Sequence, residues 1–284
     1  MKTILITGAG GQLGRCFKQL AGNYRSLSFV FLDSKQLDIS SEGAVDAVFR
    51  ANDFDYCINC AAYTNVELAE DQTERAYKIN ARAVGILTRK CNQYGTTLVH
   101  FSTDYVFDGT NKFPYTEVDE VNPINVYGAS KLEGELQVTD NMERYFIFRT
   151  SWLYSDLGHN FFNTIRRKAE EGADLKITTS QTGTPTNAYD LASFVLNIIA
   201  NDHRTYGIYH YSNLGEASWY EFAAEIIRLS TKEKEVSLEK AGDFPTKARR
   251  PRYSVLNKDK ALRVFGYPIK HWQESLSDLI LNYT

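Results

Sequence analysis

Long hydrophobic runs are missing from this sequence. No stretch of about 20 apolar residues occurs, which is the length that a helix needs to cross a bilayer, so no membrane span is expected. The apolar run after Met1 and Lys2 covers only residues 4–6, and we expect no secretory signal because the core of such a signal is longer. Repeats and low-complexity segments are also absent.

An excess of either charge is missing too. The 32 Lys and Arg residues nearly balance the 35 Asp and Glu residues, and the formal net charge is −3. This balance gives no general attraction to nucleic acid or to an anionic membrane. Cysteine is scarce, and four cysteines in a chain of 284 residues do not predict a disulfide framework. We therefore expect a cytoplasmic protein.

What the sequence does contain is an alternation of apolar strands and amphipathic helices. Hydrophobic residues make up 43% of the chain, enough for one large domain or for a main domain with a smaller one. The alternation predicts an α/β fold whose parallel sheet is covered on both faces. The predicted strands are 3–7, 27–32, 56–61, 97–102 and 145–149, and the predicted helices are 12–21, 42–51, 73–94 and 125–137.

A glycine-rich segment follows the first predicted strand. Gly8, Gly11 and Gly14 form a Gly-x-x-Gly-x-x-Gly pattern at the start of a helix, where glycine permits a sharp turn and close approach to a pyrophosphate. The helix N-terminus offers free N–H groups to the phosphates. Asp33 follows the second strand, roughly 20 residues after Gly14, where a carboxylate accepts hydrogen bonds from the adenine ribose. Asp33 favours NADH because its carboxylate repels a 2′-phosphate. The nearby positive charge of Lys35 weakens that preference, so NADPH remains an alternative.

The glycine segment assigns the first half of the chain to a dinucleotide-binding domain. We predict a doubly wound parallel sheet of Rossmann type over residues 1–150, with segments at roughly 186–215 returning to it. Residues 151–284 are predicted to form mainly a smaller C-terminal α/β lobe that binds substrate.

A tyrosine and a lysine are spaced for acid–base chemistry. Tyr127 and Lys131 stand at i and i+4 on a predicted helix, and therefore share one face. An ammonium beside a phenol lowers the pKa of the phenol, so that Tyr127 can protonate a carbonyl oxygen that receives a hydride. Thr103 follows the strand at 97–102, and ligands of open α/β sheets bind at the carboxyl ends of strands. We therefore expect its hydroxyl to bond the same keto oxygen.

Ten segments extend this pattern along nearly the whole chain. They include Gly-Gln-Leu-Gly at 11–14 and Ser-Thr-Asp-Tyr-Val-Phe-Asp-Gly at 102–109; the others are 37–39, 59–64, 127–131, 149–154, 183–186, 207–210, 218–223 and 250–254. The ordered series resembles the extended short-chain dehydrogenase/reductases, and more closely the dTDP-4-dehydrorhamnose reductase family. That resemblance implies reduction of the C4 keto group of dTDP-4-dehydro-6-deoxy-L-mannose to dTDP-L-rhamnose by NADH or NADPH.

The resemblance also implies roles for individual residues. The residues that would hold the dinucleotide are Gly8, Gly11, Gln12, Leu13, Gly14, Asp33, Asp38, Ile39, Ala61, Ala62, Tyr63, Thr64, Tyr127 and Lys131. The catalytic residues would be Thr103, Tyr127 and Lys131, and the sugar nucleotide would meet Thr103, Asp104, Trp152 and Arg250. Arg250 belongs to a basic cluster with Arg249 and Arg252 that suits a diphosphate. The five histidines show no ligand spacing, and no metal site is predicted.

Two alternatives remain open at this stage. A sugar-nucleotide epimerase or dehydratase uses the same Thr, Tyr and Lys residues, although a dehydratase usually has an acidic pair where this chain has Asp104 followed by Tyr105. A relative of this family serves as a regulatory subunit of methionine adenosyltransferase and is a binding module. The complete set of Thr103, Tyr127 and Lys131 favours catalysis over binding alone.

The resemblance generates a prediction about assembly. Some dimeric family members hold Mg²⁺ at their interface through glutamates, and this chain has Cys16 and Tyr189 at two such positions. Because neither is a preferred Mg²⁺ ligand, we predict a monomer rather than a magnesium-linked dimer. Light scattering with and without a chelator measures this directly. A loss of mass on adding the chelator would contradict the prediction.

Overall fold

The computed structural model describes residues 1–230 and 236–283 and contains a six-stranded parallel sheet. The strands are β1 Lys2–Thr7, β2 Leu27–Leu32, β3 Tyr56–Asn59, β4 Thr97–Thr103, β5 Tyr145–Thr150, β6 Leu153–Tyr154, β7 Leu175–Thr178, β8 Thr182–Gly183, β9 Thr186–Asn187, β10 Gly207–His210, β11 Ala217–Ser218 and β12 Leu238–Ala241. The large sheet has the order β10-β5-β4-β3-β1-β2, and all its pairs are parallel. The order reverses beside β1, which is the crevice where such sheets bind ligands.

Helices cover both faces of this sheet. They are α1 Gln12–Leu20, α2 Glu42–Ala51, α3 Val66–Asp71, α4 Thr73–Tyr77, α5 Ala83–Gln93, α6 Val126–Thr139, α7 Phe161–Glu170, α8 Ala188–Ala200, α9 Trp219–Ser230, α10 Asp259–Phe265 and α11 Trp272–Tyr283. Alternate residues of β1 serve opposite layers: Ile4 and Ile6 pack with Phe17 of α1, and Leu5 packs with Phe49 of α2. The predicted doubly wound α/β fold is confirmed.

Three short strand pairs are formed by described residues that come after β5 in the chain. They pair β7 with β12, β8 with β11 and β6 with β9, and α7 packs against α9 next to them. From the same half of the chain, β10 joins the large sheet beside β5, and α8 packs against α1. Within the described residues, no helix is both long and apolar enough to cross a bilayer.

The predicted helix at 73–94 differs from the structure in its middle. A π-helical turn over Lys78–Arg82 separates α4 from α5. There the Asn80 side chain accepts a hydrogen bond from the Tyr63 backbone N–H at 2.8 Å and donates to the Tyr63 carbonyl at 2.9 Å and to the Ser130 hydroxyl at 3.0 Å. The wider turn thus directs Asn80 into bonds with the cleft loop and with α6. A regular 3.6-residue pattern gives no sign of it.

The predicted strand at 56–61 is shorter than expected, since β3 ends at Asn59. The Asn59 side chain accepts a hydrogen bond from the Ala61 backbone N–H at 3.2 Å, which turns the chain away from the sheet. Local bonds of this kind compete with the strand ladder.

Helix α6 packs closely on the π-helical turn at Gly134. A Cβ at this position would lie 2.1 Å from the backbone carbonyl oxygen of Asn80. We predict that Gly134→Ala lowers the free energy of unfolding by about 1–3 kcal/mol, because rigid backbone must move apart. Chemical denaturation monitored by circular dichroism measures the change.

Gly43→Ala in α2 is the matched control, since its added Cβ meets nothing within 4 Å. That variant gains about 0.5–1 kcal/mol from reduced backbone freedom in the unfolded chain. Equal stability changes at the two positions would show that the contact at Gly134 does not constrain the helix.

Candidate active site

The glycine turn after β1 is built from close backbone contacts. Gly8 has a φ of +62°, and a Cβ there would lie 2.5 Å from the Ala61 backbone nitrogen. A Cβ at Gly14 would lie 2.6 Å from the Gly8 carbonyl oxygen, so α1 starts hard against the turn. The Gly11 N–H donates to the Gly8 carbonyl at 2.9 Å, and Gly11 caps α1. The open first turn of α1 is therefore presented to the cleft without side chains in the way.

A cavity of about 650 Å³ lies at the carboxyl ends of the strands. Its volume falls in the range of roughly 300–1,000 Å³ that is typical of cofactor and small-molecule sites. The predicted site residues that line it are Gly11, Gln12, Leu13, Ala62, Thr64, Thr103, Asp104, Tyr127, Lys131, Trp152 and Arg250. The structure therefore brings the three predicted catalytic residues together with part of the predicted dinucleotide site.

Other predicted residues lie outside this cavity. Gly8 and Gly14 shape the turn, and the Ala61 N–H serves Asn59. The Asp38 carboxylate accepts hydrogen bonds from Ser40, whose hydroxyl and N–H lower the pKa of the carboxyl group. Ile39 is buried in the core on the α2 side of the sheet.

Tyr63 is directed toward the helices that follow it. Its hydroxyl donates to Gln72 at 3.3 Å, and the guanidinium of Arg75 lies 5.6 Å from its ring centroid. Tyr63 therefore contributes its backbone to the cleft loop, through the two bonds with Asn80.

Asp33 lies in a second cavity, of about 320 Å³, which also begins at the glycine turn. Its carboxylate accepts hydrogen bonds from the backbone N–H groups of Lys35 at 2.9 Å and Gln36 at 3.1 Å. Arg15 and Lys18 of α1 line the same cavity, which therefore contains two cationic side chains as well as the Asp33 carboxylate. Sequence reasoning overlooked both, although they lie one and four positions after Gly14.

Thr103, Asp104 and Tyr127 form the polar wall of the main cavity. The Thr103 hydroxyl donates to Asp104 Oδ1 at 3.0 Å and accepts from the Tyr105 N–H at 3.1 Å. The predicted lowering of the Tyr127 pKa by Lys131 is wrong for this structure: burial raises the pKa of Tyr127 above its usual value, opposed by a hydrogen bond with Thr103, so the phenol carries its proton. Burial also raises the pKa of Asp104 to about 6, and its Oδ2 has no hydrogen-bond partner among the described residues.

Lys131 is buried one helical turn beyond Tyr127. Its Nζ donates to the Phe101 carbonyl at 2.5 Å and lies 3.5 Å from His100 Nε2. Burial lowers the pKa of Lys131 to about 8, opposed by the charge of Glu135. Glu135 itself is bound by Arg149 of β5, with Nη2 to Oε2 at 2.7 Å. Lys131 is therefore mainly a cation at neutral pH, and it loses its proton at a lower pH than an exposed lysine does.

Trp152 forms the aromatic wall of the cavity under backbone strain. Its φ of 44° is unusual for a bulky residue and carries a cost of about 1–3 kcal/mol. The indole stacks on Trp219 at a centroid distance of 3.6 Å, and a Cβ at Gly183 would lie 2.6 Å from it. Trp219 also lines the cavity and donates its Nε1–H to Gln181 at 3.0 Å. The sequence analysis included Trp219 in the similar segment at 218–223 but predicted no role for it.

Arg250 lies where the main cavity meets two neighbouring ones, of about 440 and 380 Å³. Its Nη2 binds Glu67 at 2.7 Å, while its buried Nε has no hydrogen-bond partner in the described chain. Arg249 and Arg252 line the smaller of these neighbours, and Arg252 pairs with Asp243 at 3.6 Å. The basic cluster therefore faces the extension of the cleft.

Cys16 of α1 and Tyr189 of α8 are both buried. The Tyr189 hydroxyl donates to Asp156 at 3.0 Å and also bonds Gln19. Burial raises the pKa of the Cys16 thiol to about 12. Within the described ranges, no group of three or more His, Cys, Asp or Glu side chains is placed to hold a metal ion.

Comparisons with known proteins agree with this geometry. The family model described as "RmlD substrate binding domain" matches residues 1–284. A dTDP-4-dehydrorhamnose reductase of Aggregatibacter actinomycetemcomitans is 36% identical over 98% of each chain. The spore coat polysaccharide biosynthesis protein SpsK of Bacillus subtilis is 35% identical over 99% of this chain and 97% of its own.

Solved structures give the same result. A dTDP-4-dehydrorhamnose reductase from Clostridium acetobutylicum is 42% identical, covers 98% of both chains and superposes with a TM-score of 0.92. The enzyme of that name from Bacillus anthracis, in complex with NADP, is 35% identical, covers 100% of both chains and gives a TM-score of 0.94. The resemblance predicted from the motifs is confirmed: this chain belongs to the dTDP-4-dehydrorhamnose reductase family.

Proposed function

We propose that this protein reduces the C4 keto group of dTDP-4-dehydro-6-deoxy-L-mannose to dTDP-L-rhamnose, using NADPH or NADH. The observation that carries the proposal is the single cavity that joins Thr103, Tyr127 and Lys131 to the first turn of α1. Membership of the family and the NADP complex of the Bacillus anthracis relative support the reaction and the cofactor.

The glycine turn fits a dinucleotide. Side chains at Gly8 or Gly14 would clash with rigid backbone, and Gly11 leaves the N–H groups of α1 open toward the cleft. Asp33 offers a carboxylate to ribose hydroxyls, and Arg15 and Lys18 offer positive charge to a 2′-phosphate. When bound, the reduced nicotinamide supplies the hydride.

The residues of this chain supply the proton and the orientation. Tyr127 keeps its proton until negative charge develops on the C4 oxygen, and then donates it. The Thr103 hydroxyl, whose proton goes to Asp104 Oδ1 in the free protein, turns that proton to the C4 oxygen when the substrate is bound. The buried cation of Lys131 stabilises the phenolate left on Tyr127.

The aromatic wall and Arg250 hold the rest of the substrate. Trp152 and Trp219 give the deoxysugar or the base a flat apolar surface that their stacking keeps rigid. Arg250 faces the cleft with a buried Nε–H, which suits a diphosphate oxygen. This grip positions C4 against the catalytic residues, which is itself a large part of catalysis.

We further propose that the protein works in the cytoplasm as a monomer. The four cysteines are free thiols, as a reducing compartment allows. Cys16 and Tyr189 stand at the positions where the resemblance would place magnesium ligands, and both are buried within this chain.

Tyr127→Phe tests the proton donor. We predict a fall in kcat of about 10²–10⁴, because the general acid is lost while the ring and its packing on Tyr105 remain. Cofactor affinity, measured by fluorescence titration, stays nearly unchanged. The assay follows NADPH oxidation on addition of dTDP-4-dehydro-6-deoxy-L-mannose.

Tyr94→Phe is the control, since Tyr94 lies at the end of α5 and packs on Phe49, away from the cavity. Normal turnover by Tyr127→Phe would remove Tyr127 from the mechanism. Failure of the wild-type protein to oxidise either cofactor with this substrate would overturn the proposed reaction.

Charge changes in the second cavity test the cofactor site. Asp33→Ala should shift preference toward NADPH, because it removes a repulsion of the 2′-phosphate. Arg15→Ala should shift preference toward NADH, by removing an attraction. The ratio of kcat/KM for the two cofactors is the measurement. If both variants kept the wild-type ratio, this cavity would not contact the adenosine end.

A further inference from the structure

A chain of buried polar side chains, Thr7, Asn59 and His100, leads to Lys131. His100 of β4 is 1% exposed and lies between two partners. Its Nδ1 is 3.2 Å from the Asn59 amide nitrogen, and its Nε2 is 3.5 Å from Lys131 Nζ. The spacing of the five histidines along the chain does not distinguish His100 from the others, and the proposed reaction does not use it.

The orientation of the Asn59 amide is fixed by the backbone. Its Oδ1 accepts hydrogen bonds from the Ala61 N–H at 3.2 Å and from the Thr7 hydroxyl at 2.7 Å. Since a backbone N–H can only donate, the oxygen must face Ala61, and the amide NH₂ must face His100. An NH₂ group is only a donor, so His100 Nδ1 must be an unprotonated acceptor.

The remaining proton of the imidazole is therefore on Nε2. Burial and the neighbouring Lys131 hold the pKa of His100 well below its usual value, so the ring is neutral and carries one proton. The Nε2–H faces Lys131 Nζ. An ammonium has no lone pair to accept it, whereas a neutral amine does.

We propose that His100 is a positioning residue whose fixed Nε2–H tautomer disfavours the ammonium form of Lys131 and stabilises its amine form. This rests on the proposed function, in which Tyr127 gives its proton to the C4 oxygen and becomes a phenolate. A proton from Lys131 then reaches the phenolate through a water or hydroxyl group that bridges the two side chains: an N–H bond breaks, its electron pair stays on Nζ, the bridging group passes on one proton as it accepts another, and the tyrosine O–H is restored. The amine left on Lys131 accepts the His100 Nε2–H, and solvent restores its proton after turnover.

Other charged groups around α6 do not play this part. Glu135 favours the ammonium form, but Arg149 of β5 binds its carboxylate. Asp104 and Tyr105, after β4, act on Tyr127. Glu70 of α3 accepts from the Val126 N–H at the start of the helix, at 2.9 Å. Asn80 of the π-helical turn and Ser130 are neutral and bond each other. The described contacts of Lys131 Nζ are those with His100 and with the Phe101 carbonyl, which accepts from either form.

The tautomer can be observed without any mutation. Two-bond ¹H–¹⁵N correlation NMR on the ¹⁵N-histidine-labelled protein distinguishes Nε2–H from Nδ1–H. We expect His100 as the neutral Nε2–H form between pH 6 and 9. An Nδ1–H or doubly protonated ring would overturn the proposal. Because this readout needs no substrate, it stands even if the proposed reaction fails.

Asn59→Asp should switch the tautomer. A carboxylate still accepts from the Ala61 N–H, but it also accepts at His100 Nδ1, which moves the ring proton there and makes Nε2 an acceptor for the ammonium. In the wild-type protein Lys131 is an ammonium below its pKa of about 8, so kcat should fall as the pH rises through that value. In Asn59→Asp we expect the fall in kcat to occur at a pH about one unit or more higher. We also expect the NMR signal of His100 to show the Nδ1–H form.

Two further variants separate the tautomer from the added charge. Thr7→Val removes one bond to Asn59 but leaves the Ala61 bond, so the tautomer and the pH at which kcat falls should match those of the wild-type protein. In the double variant Asn59→Asp/His100→Phe, the upward shift should be largely lost. A full shift without His100 would mean that the carboxylate charge acts directly, and the proposal would be wrong.

Discussion

The position of helix α6 is the constraint on which the site depends, because this one helix carries both Tyr127 and Lys131. Gly134 lets it approach the Asn80 carbonyl, and Gly128 lets it approach the Tyr105 carbonyl, where a Cβ would lie at 2.1 Å in both cases. The bidentate pair of Glu135 and Arg149 binds the same helix to β5. A buried pair of this kind contributes specificity of placement more than net stability. The catalytic spacing is therefore set by backbone contacts on one side and by charge on the other.

The electrostatics of the cleft follow from that burial. Taken out of water, Tyr127 and Asp104 hold their protons more tightly and Lys131 holds its proton less tightly. The pKa values of Asp104 and Lys131 therefore move toward each other, whereas that of Tyr127 moves up and keeps the phenol protonated. The same sheet edge carries the glycine turn, so the proposed cofactor site and the proposed proton donor share one rigid frame.

The sequence was sufficient for the parts that depend on periodicity and on glycine. Strand β2 and helix α2 have the predicted bounds, and the turn at Gly8–Gly14 lies where the spacing put it. Thr103 lines the cavity because parallel strands end at the same edge, and Tyr127 and Lys131 line it from α6 with the predicted i, i+4 spacing. The placements of Ile39 and Tyr63 could not be obtained in this way, since a residue's distance along the chain from a strand end does not fix where its side chain is directed.

What sequence reasoning overlooked depends on contacts between distant segments. The π-helical turn is accompanied by hydrogen bonds from Asn80 to Tyr63 and Ser130, which lie 17 and 50 positions away in the chain. Arg15 and Lys18 are recognised as site residues only because they share a cavity with Asp33. Trp219 is recognised only because it stacks on Trp152. The direction of a hydrogen bond also cannot be predicted from the sequence. The proton position on His100 follows only from the orientation of the Asn59 amide in the structure.

The left-handed backbone at Trp152 has a consequence for how such a protein can change over time. Glycine would occupy that φ without strain, so for folding alone it is the better residue at this position. The indole offsets part of the strain through its stack on Trp219 and its contact with Gly183, and the three positions are thus tied together. Selection for thermostability without selection for activity should therefore drift toward glycine at 152 and release its two partners. In the proposed function the aromatic wall contacts the substrate, so we expect a tryptophan at this position to be kept for function rather than for stability.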